Sequence, residues 1–178
     1  LVAAQKNEEA ISHFKMAIKL RPSYDKAHYN LGIALFSDQK NKEAISHYKM
    51  AVKLNPNYTK AHFELGIALF TDRKVEEALS HFKMAIKLRP NFTKAYYNLG
   101  VALFADRKVE EAISYYKMAI KLNPNYTNAH YNLGYALLQK GEVKEAIHYF
   151  RETLRLKSDH VAAHGHLETA LLQSQAID

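Results

Sequence analysis

Four prolines, Pro22, Pro56, Pro90 and Pro124, stand 34 residues apart, and most of the chain between them repeats at the same step. Gly32, Gly66, Gly100 and Gly134 share one register, and Ala10, Ala44, Ala78, Ala112 and Ala146 share another. A fixed period of this length predicts one supersecondary unit stacked on copies of itself. Such a stack encloses no single pocket but carries a long continuous face. The sequence therefore points to a binding surface before it points to any chemistry.

In block 25–58 the apolar positions Tyr29, Leu31, Ile33, Leu35 and Phe36, with Ala27 and Ala34 filling the gaps, have helical character. Ser37-Asp38-Gln39-Lys40-Asn41 breaks that run. Ala44, Ile45, Tyr48, Ala51 and Val52 then make the i, i+1, i+4, i+7, i+8 stripe of an amphipathic helix. Asn55-Pro56-Asn57 stops it, because proline lacks an N–H and biases its predecessor out of helical geometry. The expected unit is two short antiparallel helices. Full units fall at 25–58, 59–92, 93–126 and 127–160, after a partial repeat over 1–24 that is mainly a second helix. A C-terminal capping helix over 161–178 completes one array. Glycine in mid-helix costs about 1 kcal/mol against alanine. Four at one register therefore predict a close approach of two helix backbones, with Ala44 and its equivalents on the facing helix.

These residues resemble the tetratricopeptide repeat. The first full copy reads His28-x-x-Leu31-Gly32-x-x-Leu35, Ala44-x-x-x-Tyr48, Ala51, Pro56, and the third reads Tyr96, Leu99, Gly100, Leu103, Ala112, Tyr116, Ala119, Pro124. The resemblance covers essentially the whole chain. Departures are His28, His62, Tyr96, His130 and His164 at the bulky first position, and Thr153 and Ser158 for the fourth copy's alanine and proline. The inter-helix turn carries Gln39, Arg73 and Arg107 where many relatives have glycine, which Gly141 keeps. Leu1 aligns with Leu35, so the chain reads as a fragment opening partway through a unit, with self-association expected through that end. Glu168 at the glycine register and the polar Gln173-Ser174-Gln175 read as a solvating end of the array.

The resemblance implies an all-α, right-handed superhelical solenoid of antiparallel helix pairs whose first helices line a concave wall. It is similar to the arrays of O-linked N-acetylglucosamine transferases and cargo adaptors. The implied wall residues are Lys26, Tyr29 and Asn30, then Lys60, Phe63 and Glu64, then Lys94, Tyr97 and Asn98, then Asn128, Tyr131, Asn132 and Tyr135. Asparagine offers donor and acceptor to an extended backbone, aromatic rings take side chains, and lysines favour acidic groups. Phe36, Phe70 and Phe104 serve either this wall or packing between units. In these relatives asparagine at this register holds peptide backbone, though copying of the repeat also accounts for its recurrence. The clamp that grips a terminal carboxylate needs lysine at the Tyr29 register and asparagine at that of Ile33, and no copy has either. The expected function is a protein-interaction scaffold binding an extended, partly acidic peptide in the groove. The alternative is a substrate-recruiting arm of a larger glycosyltransferase-like enzyme.

Composition narrows the remaining classes. At 48% hydrophobic the chain is far from the disordered class, and no apolar run reaches the ~18 residues of a membrane span. The absence of cysteine removes disulfides and thiol chemistry and fits a cytoplasmic setting. The formal charge of +7 is spread as +2 over each of 1–24, 25–58, 59–92 and 93–126, then +1 and −2. A nucleic-acid site concentrates charge, so neither nucleic acid nor membrane is an expected partner. Lysine pairs such as Lys49/Lys53 and Lys83/Lys87 fall on the outer side of the second helices. Of the ten histidines, most recur one per unit, too far apart to share an ion. His13, His47 and His81 have Glu9, Glu43 and Glu77 at i−4, the pattern of an ordinary surface pair. His160, His164 and His166 cluster without a carboxylate or cysteine, and no metal or cofactor is expected. No nucleophile–base pair or phosphate loop occurs, so catalysis is not expected of this segment.

Overall fold

A computed structural model describes residues 2–176, with the side chains of 2–5 excepted. The described residues form ten helices and no strand: α1 (Val2–Leu20), α2 (Asp25–Ser37), α3 (Asn41–Leu54), α4 (Thr59–Thr71), α5 (Val75–Leu88), α6 (Thr93–Ala105), α7 (Val109–Leu122), α8 (Thr127–Gln139), α9 (Val143–Leu156) and α10 (Val161–Gln175). They fall into two compact units, Leu1–Pro90 and Asn91–Asp178.

In the first unit α2 pairs with α3 and α4 with α5, while α1 packs on α2 and α3 on α4. In the second α6 pairs with α7 and α8 with α9, α7 packs on α8, and α10 lies on α9. Position in these stacks sets how wide the buried stripe must be. Sandwiched α2 buries Ala27, His28, Leu31, Gly32, Ala34 and Leu35, whereas its partner α3 buries only Ala44, Ile45, Tyr48 and Ala51. Leu31, Leu65, Leu99 and Leu133 are wholly enclosed, each contributing about 1.5–3 kcal/mol.

The glycine register has a more specific cause than the expected backbone contact. A Cβ on Gly32 would stand 2.6 Å from the Tyr48 ring, and on Gly66 2.7 Å from the Phe82 ring. Gly100 and Gly134 face Tyr116 and Phe150 in the same way, with the backbone carbonyls of Ala112 and Ala146 next at 3.3 Å. An aromatic ring, and behind it the opposing backbone, occupies the space.

The turns between paired helices repeat as well. Gln39, Arg73, Arg107 and Gly141 all adopt positive φ, 60°, 62°, 61° and 84°. Around Gln39 the N–H of Lys40 donates to the carbonyl of Leu35 at 2.9 Å and that of Gln39 to Phe36 at 3.0 Å. This double closure satisfies carbonyls that end the helix and requires a left-handed residue between them. Between units, Asn55 Oδ1 accepts from the Asn57 N–H at 3.2 Å, and Asn123 from Asn125 at 3.1 Å, so side-chain turns replace the helix interrupted by proline.

The turn of the full repeats has no counterpart in α1. Residues 3–7 align with the turn at 37–41, yet α1 runs through them without interruption. Gln5, Lys6 and Asn7 match Gln39, Lys40 and Asn41, so the difference lies in Ala3 and Ala4, strong helix formers that stand where the turn has Ser37 and Asp38.

Candidate functional site

The predicted wall residues are best assembled in the second unit. Val101, Phe104 and Ala105 of α6 and Tyr131, Asn132 and Tyr135 of α8 line one cavity of about 300 Å³, with Tyr116 of α7 also lining it. The Phe104 and Tyr135 rings sit 5.6 Å apart, so Phe104 serves both wall and packing. Asn132 Nδ2 donates to the Tyr97 hydroxyl at 3.1 Å. Burial raises the pKa of both Tyr97 and Tyr116, with a hydrogen bond from Asn132 opposing it in each case. These phenols stay neutral and able to donate.

Asn132 has a structural role that the sequence did not disclose. Its side chain reaches back to the tyrosine of the preceding first helix. His166, one further period along, repeats the contact of Asn132: its Nδ1 lies 3.1 Å from the Tyr131 hydroxyl. In the first unit Glu64 faces Tyr29, and burial followed by that carboxylate pushes the Tyr29 hydroxyl up to about 12. The wall register thus reads Asn30, Glu64, Asn98, Asn132, His166. Asn98 departs from it by donating to its own helix, at the Lys94 carbonyl, 2.8 Å away.

Other predicted residues lie outside the cavity. Lys26, Lys60, Lys94 and Asn128 are exposed, and Asn30 is half-buried. Tyr29 packs on Tyr58 at 4.8 Å and Tyr48 at 6.2 Å and is half-buried. Phe63 is only 7% exposed, with Phe82 at 6.0 Å, so its ring belongs to the core more than to a wall. Tyr116, which comes from a second helix, was missed as a lining residue. The available signal was a hydroxyl at 48 and 116 where Phe82 and Phe150 have none, within an otherwise apolar register.

The histidines need correction. His47 and His81 are not solvent-facing partners of Glu43 and Glu77. The His47 Nδ1 lies 3.1 Å from His28 Nδ1, and His81 Nδ1 lies 3.0 Å from that of His62. The Glu77 carboxylate instead takes Lys49 across the repeat at 2.8 Å, as Glu145 takes Lys117 at 3.8 Å. Two of the outer lysines are thus tied to the neighbouring second helix. His160, His164 and His166 do not converge: their ring nitrogens meet the Ala163 N–H, the Ser158 carbonyl and the Tyr131 hydroxyl. No group of three or more His, Cys, Asp or Glu among the described residues is placed to hold a metal ion. No described helix is long and apolar enough to cross a membrane.

Helix pairs repeated in this way define a helical-repeat solenoid of the all-α class. One tetratricopeptide-repeat model matches residues 63–127 and 97–161, a second matches 25–58, and a TPR-repeat model matches 1–39. The chain belongs to the tetratricopeptide repeat family. The comparison with curated protein sequences finds no match. Among solved structures, a crystal structure of MamA is 26% identical at a TM-score of 0.83, covering 88% of this chain and 91% of that one. MamA residues 41 to the end from Desulfovibrio magneticus RS-1 is 25% identical at 0.82, covering 89% and 93%. YrrB, described as a TPR protein with an unusual peptide-binding site, shares the fold at 23% identity and 0.83, covering 94% and 87%. Family membership makes the chain a scaffold for protein–protein interaction.

Proposed function

We propose that the partner is an extended peptide segment and that it lies along the first helices of the second unit, α6 and α8. The observation that supports this reading is the cavity of about 300 Å³ between α6 and α8. Its lining is aromatic and aliphatic apart from Asn132 and phenol hydroxyls, so it takes one large uncharged side chain. The amide hydrogens of Asn132 are directed at the Tyr97 and Tyr116 hydroxyls, and its Oδ1 is left to accept from peptide backbone. An acidic residue fits next to exposed Lys94 of the same unit, whereas in the first unit a carboxylate opposite Glu64 is disfavoured by like charge. The preference is therefore not uniformly acidic.

A displayed library of random peptides about a dozen residues long tests this. Selected binders should weaken about tenfold or more, roughly 1.4 kcal/mol, against Ala105→Trp, which fills the cavity from an exposed helix end. Tyr135→Ala should act in the same direction. Binders indifferent to both variants, with helicity unchanged, would place recognition elsewhere.

A further inference from the structure

We infer that the first unit carries two acid-sensitive latches, the hydrogen-bonded imidazole pairs His28–His47 and His62–His81, each closing one helix hairpin. The two pairs are near-copies. His28 and His62 come from α2 and α4 and are 6% and 7% exposed, and His47 and His81 come from α3 and α5. Ring centroids lie 5.3 Å and 5.2 Å apart.

Elementary valence fixes the protons. The Nε2 of His28 lies 3.0 Å from the Pro22 carbonyl, and the Nε2 of His62 lies 3.0 Å from that of Pro56. A carbonyl only accepts, so both Nε2 atoms carry hydrogen. Each neutral ring then has a bare Nδ1, which accepts from the Nδ1–H of His47 or His81. The only nitrogen left bare in each pair is the Nε2 of His47 or His81. A first proton can settle there without disturbing the bond. A second has only the His28 or His62 Nδ1 to occupy, and it meets an N–H head-on across about 3 Å, between two like charges in a dry place. At that point the latch opens.

The surroundings reinforce this. Burial first, then the partner imidazole, lowers the pKa of His47 and of His81, the latter to about 4. Among the charged groups around the pairs, α1 brings Lys15 and α3 brings Lys49, which act against protonation. Glu43 of α3 and Glu77 of α5 favour it, but Glu77 is engaged by Lys49. The helices α2 and α4 bring the partner imidazoles. An imidazole with a folded-state pKa below its usual 6.5 binds fewer protons folded than unfolded. Its contribution to stability is whole above that value and is lost as pH falls toward about 4. At roughly pH 5, His81 alone shifts the opening equilibrium about 30-fold.

The second unit supplies its own control. At the same two registers it has Tyr96 with Tyr115 and His130 with Tyr149, at 6.3 Å and 6.0 Å between rings. His130 also holds a proline carbonyl, that of Pro124 at 2.8 Å, but no second imidazole opposes it.

Amide hydrogen exchange of the intact chain at roughly pH 7 and pH 5, corrected for intrinsic rates, tests the inference. Peptides from α2 to α5 should lose at least tenfold in protection at the lower pH, while those from α6 to α9 change much less. Replacing both pairs by the tyrosines of the third repeat (H28Y, H47Y, H62Y, H81Y) should abolish the difference. Should that variant not fold, His47→Gln with His81→Gln keeps an N–H donor that cannot charge, and should do the same. Parallel loss of protection in both units, or unchanged acid sensitivity in the folded variant, overturns the proposal. So does a nitrogen-15 imidazole spectrum at neutral pH placing hydrogen on Nδ1 of His28 and His62.

Discussion

Glycine does opposite things at two places in this chain, and the difference is purely steric. At Gly66 an added methyl would lie 2.7 Å from the ring of Phe82, a side chain that is 1% exposed and has nowhere to move. Gly66→Ala should therefore cost about 1–3 kcal/mol through overpacking, outweighing a gain of about 1 kcal/mol in helix propensity. Gly165 is also mid-helix, in α10, but nothing lies within 4 Å of the position a Cβ would take. Gly165→Ala should stabilise by up to about 1 kcal/mol, and urea denaturation of the two variants side by side measures both signs. The glycine period was legible in the sequence, whereas the ring that enforces it was not. Local spacing identifies an intolerant position but leaves open which atom of a partner 16 residues away fills the gap.

The turns show how helices are joined without the residue best suited to join them. Gln39, Arg73 and Arg107 hold a left-handed conformation that glycine adopts freely and other residues resist. Arg73→Gly should stabilise by about 0.5–1 kcal/mol after the added entropy of the unfolded chain is subtracted, read as a higher midpoint of thermal unfolding. Helix pairing, its period and its proline stops could be read directly, because hydrophobic spacing and proline geometry act over a few residues. The candidate wall was legible only in part. Of the residues expected there, Tyr131, Asn132 and Tyr135 line the cavity, whereas Phe63 is buried. Tyr97 Oη holds Asn132 Nδ2, and the imidazole pairs join residues 19 apart. Those contacts depend on how one helix rotates against the next, which no local pattern encodes.

At the scale of the molecule, two compact units carry different chemistry on one repeated plan. The first holds both imidazole pairs, and the second holds the aromatic cavity and has Leu99, Leu103, Tyr116, Leu133 and Phe150 buried in its own core. Expressed alone, Asn91–Asp178 should stay helical and melt cooperatively by circular dichroism; a non-cooperative, largely unfolded product would contradict an independent core. The tyrosine-or-phenylalanine partner opposite each glycine has one more consequence. Because every hairpin closes with the same small-against-flat fit, a stretch of gene encoding one 34-residue step could be duplicated or lost in frame without any joint having to be reinvented. Length, and with it the span of partner that can be gripped, becomes the easiest property of such a protein for evolution to change.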